Sequence, residues 1–156
     1  MNFVRRAEER DIPALMELLV QVNMVHRNGR PDLFKGPTTK YTEPELKALL
    51  ADPEKPIFVC TEESGRVLGH AFCSLMTYGG RLSADYKSLY VDDICVDALA
   101  RGKHVGKALY DHVLAFARES GCYNVTLNVW ACNPGAQKFY EAMGMVPQKI
   151  GMETIL

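Results

Sequence analysis

The sequence predicts a single-domain α/β fold of the α+β type: a mixed, mostly antiparallel sheet with helices on both faces. Strand-like and helix-like segments alternate along a chain of 156 residues, near the commonest domain size, so one unit over 1–156 is expected. Three strand-like runs follow one another in the middle and call for antiparallel pairing. Apolar residues make up 47% and charged residues 24%, as in ordinary globular proteins, which leaves enough side chains for a sizeable core.

Phe3 and Val4 suggest a short first strand. Asp11 with Pro13 opens an amphipathic helix whose apolar positions are Leu15, Leu18, Leu19, Val22 and Val25, ending near Asn28-Gly29. Residues 30–41 hold Pro31, Gly36 and Pro37 without a clear period and read as a long loop, often a functional one, over a substrate site. Thr42 and Glu45 have capping-box spacing before Leu46, Leu49 and Leu50, so a short second helix follows, stopped by Asp52-Pro53. Residues 57–61 and 67–76 flank a turn at 63–66 and form two antiparallel strands, ended by Gly79-Gly80. A strand over 86–96, a helix over 105–120 and a strand over 125–130 come next. Asn133 and Pro134 then start a final helix, with Phe139, Tyr140 and Met143 on its apolar face and Gly144 to stop it. Val146 and residues 152–156 are expected to supply closing strands.

A net charge of −1 gives no long-range field for nucleic acid or an acidic membrane, so any bound anion must be gripped locally. The N-terminal residues carry no apolar run or cleavage site of a secretory leader, and no stretch is long enough to span a bilayer, so the expectation is a cytoplasmic protein. Five cysteines, odd in number and mostly in apolar runs, suit reduced buried thiols. The four histidines are scattered, and no metal site is expected.

Chemistry concentrates where the 86–96 strand runs through Asp97 and then Arg101, Gly102, Lys103, His104, Val105, Gly106 and Lys107 into a helix. A helix start exposes unpaired N–H groups and the positive end of the macrodipole, and glycines let a phosphate approach the backbone. Taken alone, the segment also reads as a solvated helix start whose Gly102 makes a turn. It is not a P-loop: Gly102 and Gly106 enclose three residues, and Ala108 follows Lys107.

A second segment, 128–145, contains Asn133, Pro134, Gly135, Phe139, Tyr140 and Gly144. Together the two resemble the GNAT superfamily of acetyl-CoA-dependent N-acetyltransferases, whose pyrophosphate loop Arg/Gln-x-x-Gly-x-Gly/Ala maps onto Arg101 to Gly106. The resemblance is strong from about Tyr86 onward. His104 departs from it, standing where the family usually has a glycine. The resemblance implies a sheet splayed between the 86–96 and 125–130 strands, with acetyl-CoA as acyl donor in the gap. The pantetheine arm would pair with the backbone of Ile94, Cys95 and Val96, and an N–H near Ile94 or Cys95 would meet the thioester carbonyl. It further implies that Asn133 and Tyr140 contact the arm and that Tyr140 faces the leaving thiolate. Homodimers are common in the family.

Asn133 equally suits a helix cap, and Tyr140 a core-edge tyrosine. By alternation Tyr90, Asp92, Ile94 and Val96 share one strand face and Val91, Asp93 and Cys95 the other, unless a bulge resets the phase. The resemblance places the acceptor's base or proton relay at Tyr90 and Asp92. Asp93 also reads as a structural carboxylate, Cys95 as a buried inert thiol rather than a nucleophile, and Trp130 as a wall of the acceptor site or a core residue. The expected activity is acetyl transfer to a primary amine of a small molecule or protein, by direct attack in a ternary complex. The alternatives are a coenzyme A-sensing module of the same fold and a plain interaction domain.

Overall fold

The structure, a computed structural model, describes residues 1–156. Its elements are β1 (Phe3–Arg6), α1 (Ile12–Gly29), α2 (Glu43–Leu50), β2 (Ile57–Thr61), β3 (Val67–Tyr78), β4 (Tyr86–Val96), α3 (Val105–Glu119), β5 (Asn124–Leu127) and α4 (Pro134–Ala142). The five strands make one sheet in sequence order, antiparallel except for the parallel pair β4–β5. That parallel pair requires a crossover, and α3 supplies it.

Burial follows from the pleat. β2 reads Ile-Phe-Val-Cys-Thr and is buried along its whole length, as a strand with both faces covered must be. Phe58 and Cys60 on one face join Ala71, Cys73, Leu89 and Val91 beneath Leu109 and Val113 of α3. Ile57 and Val59 on the other join Phe72 beneath Leu15 and Leu19 of α1 and Leu46 of α2. The capping box is formed: the Thr42 side chain accepts from the Glu45 amide. Close approach of α3 to the sheet depends on Gly69, where a Cβ would lie 2.7 Å from the Cys95 carbonyl oxygen and 3.0 Å from a Val105 methyl.

Three expectations need correction. No closing strand forms at Val146 or over 152–156, because no strand of this chain lies alongside to pair with them; the last backbone hydrogen bond runs from the Met145 amide to the Tyr140 carbonyl. β5 ends at Leu127 rather than at Trp130, because the Trp130 carbonyl is taken by the Asn133 amide in a turn. The third concerns β4. Phe72 pairs with Asp93 but Cys73 pairs with Val91, so Asp92 is an extra residue in the strand, a β-bulge. Alternation breaks there. Ile94 and Val96 join Leu89 and Val91 on the α3 face, while Tyr90, Asp93 and Cys95 stand opposite Ser74, Phe72 and His70 on the α1 side.

Gly69→Ala is expected to cost about 1–3 kcal/mol, since the Cys95 carbonyl it meets is backbone and cannot rotate away. Denaturant unfolding reads this as a lowered midpoint at constant slope.

Candidate active site

The bulge sits where the sheet opens. β5 pairs with β4 from Ser88↔Asn124 to Val91↔Leu127 and no further, whereas β4 stays paired to β3 as far as Gly69↔Val96. From Asp92 to Val96 the β5 side of β4 therefore lacks a partner strand. The Asp97 amide donates to the Leu68 carbonyl at 2.8 Å. Alternation in an antiparallel ladder then turns the amides of Asp93 and Cys95 toward β3, and those of Ile94 and Val96 away from it into the gap. The open edge can pair with an extended, peptide-like molecule, and Ile94 rather than Cys95 offers it an N–H. The Cys95 thiol donates to the Leu18 carbonyl at 3.5 Å, and burial, aided by the nearby Asp93 charge, pushes its pKa up to about 12. It is no nucleophile at neutral pH.

Beyond β4, Asp97 accepts from the Leu99 amide at 3.0 Å and closes a single 3-10 turn over Ala98–Ala100. Arg101, Gly102, Lys103 and His104 follow, all exposed. Gly102 has φ +83° and His104 φ 61°, so the chain turns twice through the left-handed region before α3 begins. This explains the glycine preference at the His104 position: the backbone conformation is one that a side chain resists, and histidine is among the residues that tolerate it. α2 and α4 begin with side-chain caps, whereas α3 does not, which leaves its first amides open to an anion. Val105 points into the core and offers only its backbone. Lys107 pairs with Asp111 at 2.5 Å along the helix. Gly106 also meets a packing need: a Cβ there would lie 3.1 Å from the Phe139 ring, so its lack of a side chain lets α4 pack on the start of α3.

On α4, Asn133 is a cap, its Oδ1 accepting from the Ala136 amide at 3.2 Å. Seven residues on, the half-buried Tyr140 ring packs beside Phe139 and Tyr110, at 5.1 and 6.4 Å between centroids. Burial first, then the charge of Asp93, raise the Tyr140 pKa above the ordinary phenol value. Its hydroxyl stays protonated across the neutral range and is available as a proton donor.

The α1 side of the gap carries the carboxylates. Asp92 accepts from the Ser74 hydroxyl at 3.4 Å and lies 4.0 Å from the Lys40 ammonium. Lys40 in turn sits over the Tyr41 ring, and Tyr41 stacks on Phe72, so the end of the 30–41 loop reaches the bulge. This corner is tightly packed: the void between Tyr41, Lys55, Ser74 and Asp92 is about 10 Å³, room for one water at most. Asp93 meets Nε2 of the fully buried His70 at 3.3 Å. The Tyr90 hydroxyl accepts from Asn128 at 3.1 Å across the last paired rung of β4 and β5. Trp130 meets Phe34 edge-on at 5.4 Å and is not a core residue. A larger cleft of about 850 Å³ opens between α1 and the β2–β3 turn, but its Arg5 and Arg66 are already paired with Asp11 and Asp97.

Lys40, His70, Ser74 and Asn128 were not singled out by the sequence. Ser74 follows from the hairpin register once the bulge is known; a lone histidine in an apolar strand carries no signal of its partner.

The model of the acetyltransferase (GNAT) family matches residues 22–145. Glucosamine 6-phosphate N-acetyltransferase 1 of Oryza sativa subsp. japonica is 36% identical over 63 residues, 40% of this chain and 36% of that protein. The match thus spans little more than a third of that relative's length. A variant of the BH1408 protein from Bacillus halodurans superimposes with a TM-score of 0.94 at 23% identity over 99% of both chains. Glucosamine-6-phosphate N-acetyltransferase from Arabidopsis thaliana superimposes with a TM-score of 0.73 at 23% identity, covering 99% of this chain and 98% of that one. At these identities the superpositions establish the fold.

Because its environment disfavours the phenolate, Tyr140 is expected to remain un-ionised through pH 10. Phenolate absorbance of the parent and of Tyr140→Phe should coincide up to that pH and part only above it, with circular dichroism confirming that both remain folded.

Proposed function

The chain belongs to the acetyltransferase (GNAT) family, and from that premise we propose that it moves an acetyl group from acetyl-CoA to a primary amine by direct attack in a ternary complex. The observation that carries this reading is the parting of β4 from β5 at the bulge, with an unpaired backbone edge, an uncapped helix start and a protonated tyrosine around one gap. Arg101, Gly102, Lys103, His104 and the first amides of α3, from Val105, Gly106 and Lys107, hold the pyrophosphate. The strand from Ile94 through Cys95 to Val96 pairs with the pantetheine arm by its backbone, and Asn133 borders the arm from α4.

Acetyl-CoA supplies an activated thioester. The amide of Ile94 donates to the thioester carbonyl oxygen as negative charge gathers there. The amine's lone pair forms the C–N bond while the C–S bond breaks. Asp92 takes the amine's proton, directly or through a water at Tyr90, and Tyr140 gives its own to the departing sulfur. The bulge turns both Asp92 and Asp93 toward the α1 side, where the small void beside Asp92 holds at most the one water through which it reaches the amine.

The two plant relatives act by name on glucosamine 6-phosphate, which puts that amine first among candidate acceptors without excluding other small-molecule or protein amines. No helix is long and apolar enough to cross a membrane. Five free cysteines, three of them buried, suit a reducing compartment, and the reading places the protein in the cytoplasm as a homodimer.

Thiol release from acetyl-CoA across an amine panel that includes glucosamine 6-phosphate is the test. Turnover with at least one amine is expected, and Tyr140→Phe should lower kcat roughly 10²- to 10⁴-fold, the usual contribution of a general acid. Binding of acetyl-CoA without release to any amine would make the chain a sensing module instead.

Asp92→Asn should lower kcat by a factor that shrinks as pH rises and the amine becomes free base unaided. A raised KM with unchanged kcat at every pH would make Asp92 a charge that attracts the acceptor, and an effect confined to Asp93→Asn would move the base there.

A further inference from the structure

We propose that Lys40 is a self-acetylation site, its side-chain amine taking the acetyl group within the same chain when no other acceptor is bound. This deepens the transfer reading above and rests on it.

The 30–41 loop brings this lysine to the bulge along a backbone tied at both neighbours. The Thr39 hydroxyl donates to the Tyr41 carbonyl at 2.7 Å, and the Tyr41 ring stacks on Phe72 of β3 at 5.9 Å between centroids. The Lys40 ammonium then lies 5.5 Å from the centroid of the Tyr41 ring and 4.0 Å from Oδ1 of Asp92. A primary ammonium thus stands beside the carboxylate that takes an acceptor's proton in the proposed mechanism. Their separation exceeds a hydrogen bond, so a small swing of the stem or one water carries the proton across. Ile94, whose amide meets the thioester oxygen, is two residues beyond Asp92. That is roughly 6.6 Å of strand, within the sweep of a flexible four-carbon stem.

The side chain is also free to move. It is 61% exposed, and leaving Asp92 breaks no buried contact. Because the amine is tethered, its attack is unimolecular and needs no acceptor from solution. The Lys40 ammonium gives up two protons in all. Asp92 takes the first before attack and passes it to water. The C–N bond then forms as the C–S bond breaks, and the second proton leaves the nitrogen as Tyr140 gives its own to the sulfur. The products are acetylated Lys40, free coenzyme A and one proton. Acetylation removes the lysine's charge, and with it a cation that competes with an incoming ammonium for Asp92.

Lys47 is a matched control for unassisted chemistry. Its side chain is 63% exposed and pairs with Glu9 at 3.9 Å, yet Glu9 lies before α1, away from the gap.

Incubating the chain with isotope-labelled acetyl-CoA and no added amine, then mapping the label by mass spectrometry of its peptides, is the test. Lys40 is expected to be labelled roughly 10²-fold faster than Lys47, at a rate per chain independent of protein concentration. Tyr140→Phe and Asp92→Asn, each confirmed as folded by circular dichroism, should each slow Lys40 by about that factor and leave Lys47 unchanged; slowing by either supports the proposal. Equal labelling of Lys40 and Lys47 overturns it, as does Lys40 labelling that neither variant slows, or a rate per chain that rises with protein concentration. An unlabelled Lys40 in a chain that releases thiol to an added amine overturns this proposal alone. Silence in both assays removes the transfer reading and this proposal with it.

Discussion

The single extra residue at Asp92 is the constraint on which the rest of the site depends. A regular β4 would stay in register with both neighbours and keep its pleat phase to the end. The bulge bends and twists the strand instead, and β4 leaves β5 at that residue. One local event therefore opens the gap, frees the backbone of Ile94 and Val96, and swings two adjacent carboxylates to the α1 side. It also explains how two aspartates sit in an otherwise apolar strand: neither points into the α3 core. Asp92 meets Ser74 and Lys40, and Asp93 meets His70.

The His70–Asp93 contact shows what the bulge costs. To donate to the carboxylate, Nε2 must carry a hydrogen, and the other ring nitrogen, Nδ1, is buried without a partner. A buried polar atom left unpaired costs on the order of 1–3 kcal/mol. The imidazole fills its slot against the Phe72 ring at 4.7 Å between centroids, which fixes the ring plane and hence the position of Asp93. The contact holds a charged group at the rim of the gap rather than contributing much to the core.

The sequence carried the long elements well, since their apolar periods are long and their ends are marked: the capping box at Thr42 and Glu45, the turn at 63–66, and Asn133-Pro134 at the start of α4. It marked the turn before α3 too, though glycine and basic residues alone suit a solvated helix start equally, and the anion reading came from the family resemblance. What it did not carry depends on partners distant in sequence. A bulge is a mismatch between two strands, invisible along either, so the faces of β4 came out inverted beyond Asp92. That Gly106 also makes room for Phe139, more than thirty residues away, has no sign along the chain. The closing strands have strand-like residues but no neighbour within the chain, and periodicity reports propensity rather than pairing.

The contact of Gly106 with Phe139 joins the two ends of the gap mechanically. Phe139 adjoins Tyr140 in sequence, so packing α4 onto the first turn of α3 fixes the span between the turn at Gly102–His104 and the tyrosine hydroxyl. The gap acts as a ruler. On the function proposed above, a carrier whose anionic head docks at the turn would present its reactive end to Tyr140 only if its linker had the matching length. Reach would then select among acyl carriers alongside the pairing of the linker's polar groups with the β4 edge at Ile94 and Val96.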